Sequence, residues 1–249
     1  MSGKITTKDF EIHSYEVDNN YYLTAESLLS YFQDVAMVQS DELGVGNEYL
    51  CREGLAWVLI DYSVDVTKYP KYKDKIKVIT TPTSFSKLFG YRDFVVCNEM
   101  GEKMIVAKTK WTLVDTKKRK LKRINEEICK IYGVNCVNDR KIKFEKLIIP
   151  ENDSIVKSYT PLYRDIDFNN HLNNKCYITW AVDTIPLKIV KSYELYRFKI
   201  TYKKEIKYGE HVNVITDIID INEDKKGLHK IVKNDGDVVC ILHTCWKLR

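Results

Sequence analysis

In the segment Tyr163-Arg164-Asp165-Ile166-Asp167-Phe168-Asn169-Asn170-His171-Leu172-Asn173-Asn174, a carboxylate, an amide and an imidazole recur at every second position: Asp167, Asn169 and His171. Imidazoles and carboxylates are the usual general acids and bases of enzymes, and an amide can donate a hydrogen bond to developing negative charge. Residues at spacing two share one side of an extended backbone, so an extended Asp167–His171 run would present all three groups together. A helix there would split them. A single histidine ahead of a helix is more often a cap or a surface group, so the reading rests on the string and not on His171 alone.

The elements around the string can hold it in place. Asn173 or Asn174 suits a helix N-cap. The residues Tyr177, Trp180, Ala181, Thr184 and Ile185 follow i, i+3, i+4, i+7, i+8 spacing and Pro186 closes the run, which predicts a helix over 174–185. The triplet then lies at a helix N-terminus, where free N–H groups attract negative charge. Cys176 falls inside that helix among apolar residues and reads as core.

The chain repeats itself. A helix is expected over 24–43, with Leu28, Phe32 and Val35 on one face and Thr24 as its cap, ended by Gly44 and Gly46. Strands follow over 57–67, 75–81, 91–96 and 103–114, the last two joined by the turn Asn98-Glu99-Met100-Gly101. The second half keeps this order, with a first strand over 195–203 and a last hairpin turning at Asn234-Asp235-Gly236. Lys71 to Val78 matches Lys207 to Val214, Gly101 matches Gly236, and Trp111 matches Trp246. A tandem α+β unit follows, each copy a helix set against an antiparallel sheet. The expected organisation is a first domain over 1–140, a second over 155–249, and a linker of mixed charge with Gly133 and Pro150 over about 124–160. The halves differ in their polar set. Asp18-Asn19-Asn20-Tyr21-Tyr22 precedes the first helix, and Tyr69 stands opposite Glu205, so one half is expected to carry the chemistry.

Composition narrows the class. Of 249 residues, 44% are hydrophobic, as in a globular protein of two ordinary domains or one large one. No apolar run approaches the ~18 residues a spanning helix needs, and the first residues lack the apolar core of a signal peptide, so a soluble, cytoplasmic protein is expected. The seven cysteines Cys51, Cys97, Cys129, Cys136, Cys176, Cys240 and Cys245 are scattered singly, an odd number without a C-x-x-C, which argues against a disulfide framework or a zinc ribbon. His243 and Cys245 form an isolated H-x-C, and two ligands do not make a metal site. The net charge is only +5, yet Lys117, Lys118, Arg119, Lys120, Lys122 and Arg123 crowd into seven positions. Such a run is either a solvated turn or a docking patch for an acidic partner. Nucleic acid fits poorly, because no nucleic-acid-binding signature accompanies the run.

With the string and the repeat in view, the chain resembles the acyl-acyl carrier protein thioesterases of the double hot-dog type. The resemblance covers nearly the whole length. In the first half it rests on Leu55-Ala56-Trp57-Val58-Leu59, Lys68-Tyr69-Pro70, Tyr91-Arg92-Asp93-Phe94 and the segment Ala107 to Asp115. In the second it rests on Arg164 to Asn174, Tyr177-Ile178-Thr179-Trp180, Ile185-Pro186 and Tyr202-Lys203-Lys204-Glu205. The D-x-N-x-H-x-N-N string, followed 34 residues after its histidine by glutamate, is the specific part.

The resemblance implies Asp167, Asn169, His171 and Glu205 as the catalytic set, acting on a fatty acyl thioester of a carrier protein. Asn173, Asn174 and Trp57 are expected at the substrate, with Leu55, Val58 and Phe85 as further candidates for the acyl chain in a non-catalytic first half. The run 117–123 is expected to dock the carrier. An acidic acyl carrier protein bearing an acyl-phosphopantetheine is the implied partner. No cofactor, metal, nucleic acid or membrane span is implied, and a homodimer is an allowed assembly. The family's plant members often carry Cys after the glutamate. Here Ile206 stands there, which removes a thiol nucleophile from that position. The same fold and chemistry would serve a thioesterase acting on coenzyme A esters, and a non-catalytic acyl-binding module is the alternative of another kind. One conflict remains at this level. The inward parity of Tyr196, Phe198, Ile200 and Tyr202 would turn Glu205 outward unless the strand ends or bulges near Lys203-Lys204.

Overall fold

The structure is a computed structural model describing residues 3–135, 142–152 and 154–249. The chain divides into two compact units, Met1–Tyr62 with Thr67–Phe144, and Ser63–Val66 with Glu145–Arg249.

In the first unit, α1 (Ala25–Glu42) starts where Thr24 caps it by accepting the Ser27 N–H at 3.2 Å. The helix packs on β1 (Thr6–Glu11) and β3 (Lys75–Phe85). The antiparallel sheet runs β1-β3-β4-β5-β2, where β2 is Leu55–Val66, β4 Phe89–Asn98 and β5 Lys103–Asp115. Helix face and sheet close on Phe32, Phe94 and Tyr62, with the first two ring centroids 4.6 Å apart. Gly101, at φ 81°, turns the β4–β5 hairpin in the left-handed region, where glycine carries no steric cost. A short helix, α2 (Asn47–Glu53), follows α1, and β6 (Lys120–Lys122) adds to β5.

The second unit repeats this plan. Helix α4 (Asn174–Asp183) packs on β9 (Val212–Ile221) and β11 (Val238–Leu248). Its sheet runs β8-β11-β10-β9-β7, with β7 at Ile155–Tyr159, β8 at Tyr193–Tyr202 and β10 at Asp224–Lys233. Ile178, Phe198, Ile231 and Leu242 form its fully buried centre. The copies match in detail. Trp111 Nε1 donates to Thr109 Oγ1 at 2.8 Å, and Trp246 Nε1 donates to Thr244 Oγ1 at 3.0 Å. The fold is the expected α+β hot-dog layout in two copies.

Two elements occupy the stretch expected as linker: α3 (Glu126–Ile131), capped by Asn125, and β7. Mixed charge hid them, because the buried side of α3 amounts to Ile128 and Cys129. A further short helix, α5 (Leu187–Ser192), follows Pro186.

Each unit buries a basic side chain in a polar pocket. In the first, the Arg92 guanidinium donates to Gln39 Oε1 at 2.6 Å and Thr80 Oγ1 at 2.8 Å and lies over the Tyr132 ring. In the second, His229 is fully buried, with Nδ1 2.8 Å from Thr216 Oγ1 and Nε2 2.9 Å from Thr244 Oγ1. Burial, ahead of the charge of His243, pushes the His229 pKa down to about 3, so it is neutral at physiological pH. Cys51, Cys97, Cys176, Cys240 and Cys245 are free thiols, and Cys129 is buried in α3. Cys136 lies outside the described residues. His243 donates through Nε2 to the Ile148 carbonyl at 2.9 Å. Among the described residues no helix is long and apolar enough to cross a membrane.

Candidate active site

The segment from Asp167 to His171 is a turn, which overturns the expectation of an extended run. Ile166 and Leu172 bridge antiparallel across its neck. The Asp167 N–H donates to the His171 carbonyl at 2.8 Å, and the Asn170 N–H to the Asp167 carbonyl at 3.0 Å. Asn170 takes φ 62°, a left-handed conformation that asparagine tolerates. The Asp167 side chain folds under the loop, where Oδ1 accepts the N–H of Asn169 at 2.8 Å and of His171 at 3.3 Å. Those N–H groups have no strand partner in a turn, and the carboxylate supplies one.

Glu205 arrives from the other side. Strand β8 ends at Tyr202, and the Val239 carbonyl then accepts two successive N–H groups, Lys203 at 2.8 Å and Lys204 at 3.1 Å. Two donors on one acceptor break the alternation, so the parity conflict disappears. Ile206 is fully buried and its carbonyl accepts the Leu172 N–H at 2.8 Å, which ties the segment carrying Glu205 to the residue after His171. His171 Nε2 thereby comes to 3.1 Å from Glu205 Oε2. Their side chains are 31% and 43% exposed, so water reaches the pair.

At the helix start Asn173, not Asn174, is the cap. Its Oδ1 accepts the Lys175 N–H at 3.1 Å, and its carbonyl accepts the Cys176 N–H at 2.9 Å. The expectation of several free helix N–H groups is therefore corrected. The Asn174 N–H and the exposed Asn169 amide, like the Phe168 N–H, are donors of this loop that bond to no group among the described residues. Sequence reasoning missed Tyr202, whose hydroxyl donates to the Asn174 carbonyl at 3.0 Å, and Tyr177, packed edge to face on the Tyr202 ring at 5.1 Å. Cys176 is buried in α4, its Sγ 3.9 Å from the Asp165 carbonyl.

The first unit holds the same loop without the same chemistry. The Asp18 N–H donates to the Tyr22 carbonyl at 2.8 Å, and Asp18 Oδ1 accepts the N–H of Asn20 at 2.8 Å and of Tyr22 at 3.0 Å. Val17 and Leu23 bridge the neck, and Tyr21 takes φ 64° where Asn170 takes 62°. The Leu23 N–H donates to the Pro70 carbonyl at 2.9 Å, as Leu172 does to Ile206. Tyr22 stands where His171 stands and Tyr69 where Glu205 stands.

The other expected site residues lie in the first unit. Trp57 is half-buried on β2, its ring centroid 6.2 Å from that of Phe85, against a core of Val45, Leu113 and Ile128. Leu55 packs on the same cluster and Val58 is half-buried beside it in sequence. Lys117, Lys118, Arg119, Lys120, Lys122 and Arg123 form an exposed β5–β6 hairpin. Asp115 organises its turn by accepting the N–H of Lys118 at 2.8 Å and of Lys117 at 3.1 Å, bonds that hold its carboxyl below the ordinary range.

A chloroplastic acyl-[acyl-carrier-protein] hydrolase of Cuphea viscosissima is 27% identical over 263 aligned residues, covering 99% of this chain and 63% of the relative. The chain thus spans less than two thirds of the length of that curated relative. A crystal structure from Lactobacillus plantarum, named as an oleoyl thioesterase, superposes with TM-score 0.94 at 25% identity, covering 99% of this chain and 97% of that one. The 12:0-ACP thioesterase of Umbellularia californica shares the fold, with TM-score 0.86 at 22% identity over 98% of this chain and 94% of that one. The description "Acyl-ACP thioesterase N-terminal domain" matches residues 3–132, and "Acyl-ACP thioesterase C-terminal domain" matches residues 149–248. The chain belongs to the acyl-ACP thioesterase family.

Proposed function

We propose that this protein hydrolyses fatty acyl thioesters of acyl carrier protein, releasing the free fatty acid and the carrier thiol. The observation that carries the reading is the 3.1 Å approach of His171 Nε2 to Glu205 Oε2 beside a loop with uncommitted donors. A water oxygen attacks the thioester carbonyl carbon while the Glu205–His171 pair takes its proton, an assistance typically worth ~10² to 10⁴-fold. The carbonyl oxygen becomes an oxyanion, and the Asn169 amide and the Asn174 N–H are the donors assigned to it, each worth on the order of 10² to 10³ in rate. The intermediate collapses with cleavage of the C–S bond, and the proton held by the pair passes to the leaving thiolate. Asp167 acts through the main chain, fixing the turn that sets Asn169 and His171. Cys176 takes no covalent part, being buried in the helix with a well-packed environment.

Asn173 serves the substrate by shaping the helix start, and Trp57 is assigned to the acyl chain. The carrier is assigned to the basic hairpin, since an acidic partner is attracted by six exposed cations in seven positions. Purified protein given one acyl chain on carrier protein and on coenzyme A should show a higher kcat/KM with the carrier. Equal or reversed efficiency would reassign the thiol portion to coenzyme A, and no hydrolysis of either would leave only an acyl-binding role.

A further inference from the structure

The tyrosines behind the dyad distinguish the two halves of the repeat as sharply as the dyad does. Tyr202 closes β8 three residues before Glu205, and its hydroxyl donates to the carbonyl of Asn174, three residues after His171. Tyr177 is buried in α4, and its ring packs edge to face on that of Tyr202, with centroids 5.1 Å apart. The Ile206 carbonyl is held by the Leu172 N–H at 2.8 Å. In the first half of the repeat the matching positions are Leu28 and Val66, both buried and without a hydroxyl. The loop bonds made by Asp18 and Asp167 are common to both units. The hydroxyl pair occurs only where the histidine and glutamate occur.

We propose that Tyr202, backed by the Tyr177 ring, is a positioning residue for the His171–Glu205 pair, its hydroxyl tying the strand end that carries Glu205 to the helix start that follows His171. Glu205 needs such a tie. It lies beyond the last sheet hydrogen bond of its strand, the one made by Lys204, and its side chain is more exposed than that of His171. A carboxylate beyond the end of its strand depends on such contacts for its placement, and a misplacement of ~1 Å can cost on the order of 10²-fold in rate. Leucine and valine occupy the matching buried positions of the first half, so burial alone does not ask for a hydroxyl there. Burial, ahead of the neighbouring Cys240 and Cys176 thiols and the Glu205 charge, keeps the Tyr177 phenol protonated.

The kinetic part of this inference rests on the thioesterase reading above, and the structural part does not. Tyr202→Phe keeps the ring and removes its oxygen, and Tyr202→Val installs the side chain that the first half carries at the matching position. Each should lower kcat for acyl-carrier substrate by about 10 to 10²-fold with KM little changed. In a Glu205→Gln background the same changes should cost almost nothing further. A purely structural role would instead lower activity by the same factor in both backgrounds. The second measurement is a crystal structure of each ligand-free variant, in which the His171 Nε2 to Glu205 Oε2 separation should exceed hydrogen-bond reach of about 3.2 Å. Wild-type protein without thioester turnover would refute the functional reading while leaving this structural comparison decisive. An unchanged dyad in both variants overturns the positioning role. Should one variant not fold, the other gives the answer.

Discussion

Asp18 and Asp167 make the same main-chain hydrogen bonds in two copies of one loop, yet only Asp167 stands four residues before a histidine. Asp18 lies four residues before Tyr22. An aspartate needed equally by a loop with the dyad and a loop without it is first a builder of the turn. Asp18→Ala and Asp167→Ala should each destabilise the fold by roughly 1 to 3 kcal/mol through unsatisfied N–H groups. Only Asp167→Ala should also lower kcat, by about 10²-fold. Thermal denaturation and steady-state kinetics of the two variants check this. A large kcat loss for Asp18→Ala at unchanged stability would contradict it.

The dyad should behave as one unit. Glu205→Gln preserves size and hydrogen bonding but removes the basic oxygen, so kcat should fall by roughly 10² to 10⁴ with KM little altered. His171→Ala should cost a similar factor, and the double variant far less than the product of the two losses. Cys176→Ala should stay within a few-fold of wild type. Abolished activity in Cys176→Ala beside a nearly silent Glu205→Gln would replace water attack by a cysteine acyl-enzyme.

The hairpin of Lys117 to Arg123 makes a salt-dependent prediction. With Lys118, Arg119, Lys120 and Lys122 all changed to Glu, KM for carrier-linked substrate should rise, its dependence on ionic strength should flatten, and kcat should remain close to wild type. Charge steering acts on encounter and is screened by salt. A KM that does not move would reduce the run to a solvated turn.

Acid should weaken the second unit through His229. Its folded pKa, about 3, lies below the ordinary value of 6.5, so the unfolded chain binds the proton first. The stability tied to neutral His229 is present above the unfolded value and is lost as pH falls through that window, at no more than ~1.4 kcal/mol per pH unit. Urea unfolding across this range should show a steeper loss for wild type than for His229→Gln, which retains partners for Thr216 and Thr244. Parallel curves for the two proteins would show that His229 is not the group responsible.

The sequence by itself determined the tandem plan, because alternation in β2 and β8, the Thr24 cap and the turns at Gly101 and Gly236 are local signals that tertiary packing had no reason to override. It also marked Asp167, Asn169, His171 and Glu205, since their types and spacing survive in a string. It did not show β1, α2, α3 or β7, whose buried sides are short or mixed with charge. Nor did it show that Asp167 faces its own loop, because a carboxylate at spacing two from an amide reads alike in a strand and in a turn until the hydrogen-bond partners are known. Only the tertiary structure decided how Glu205 reaches His171: the Val239 carbonyl that ends β8 and the Leu172–Ile206 bond are contacts between residues more than 30 positions apart. The hydroxyl of Tyr202 passed as strand alternation for the same reason, since an aromatic ring satisfies that pattern and its single oxygen acquires a role only when a distant main chain is brought against it.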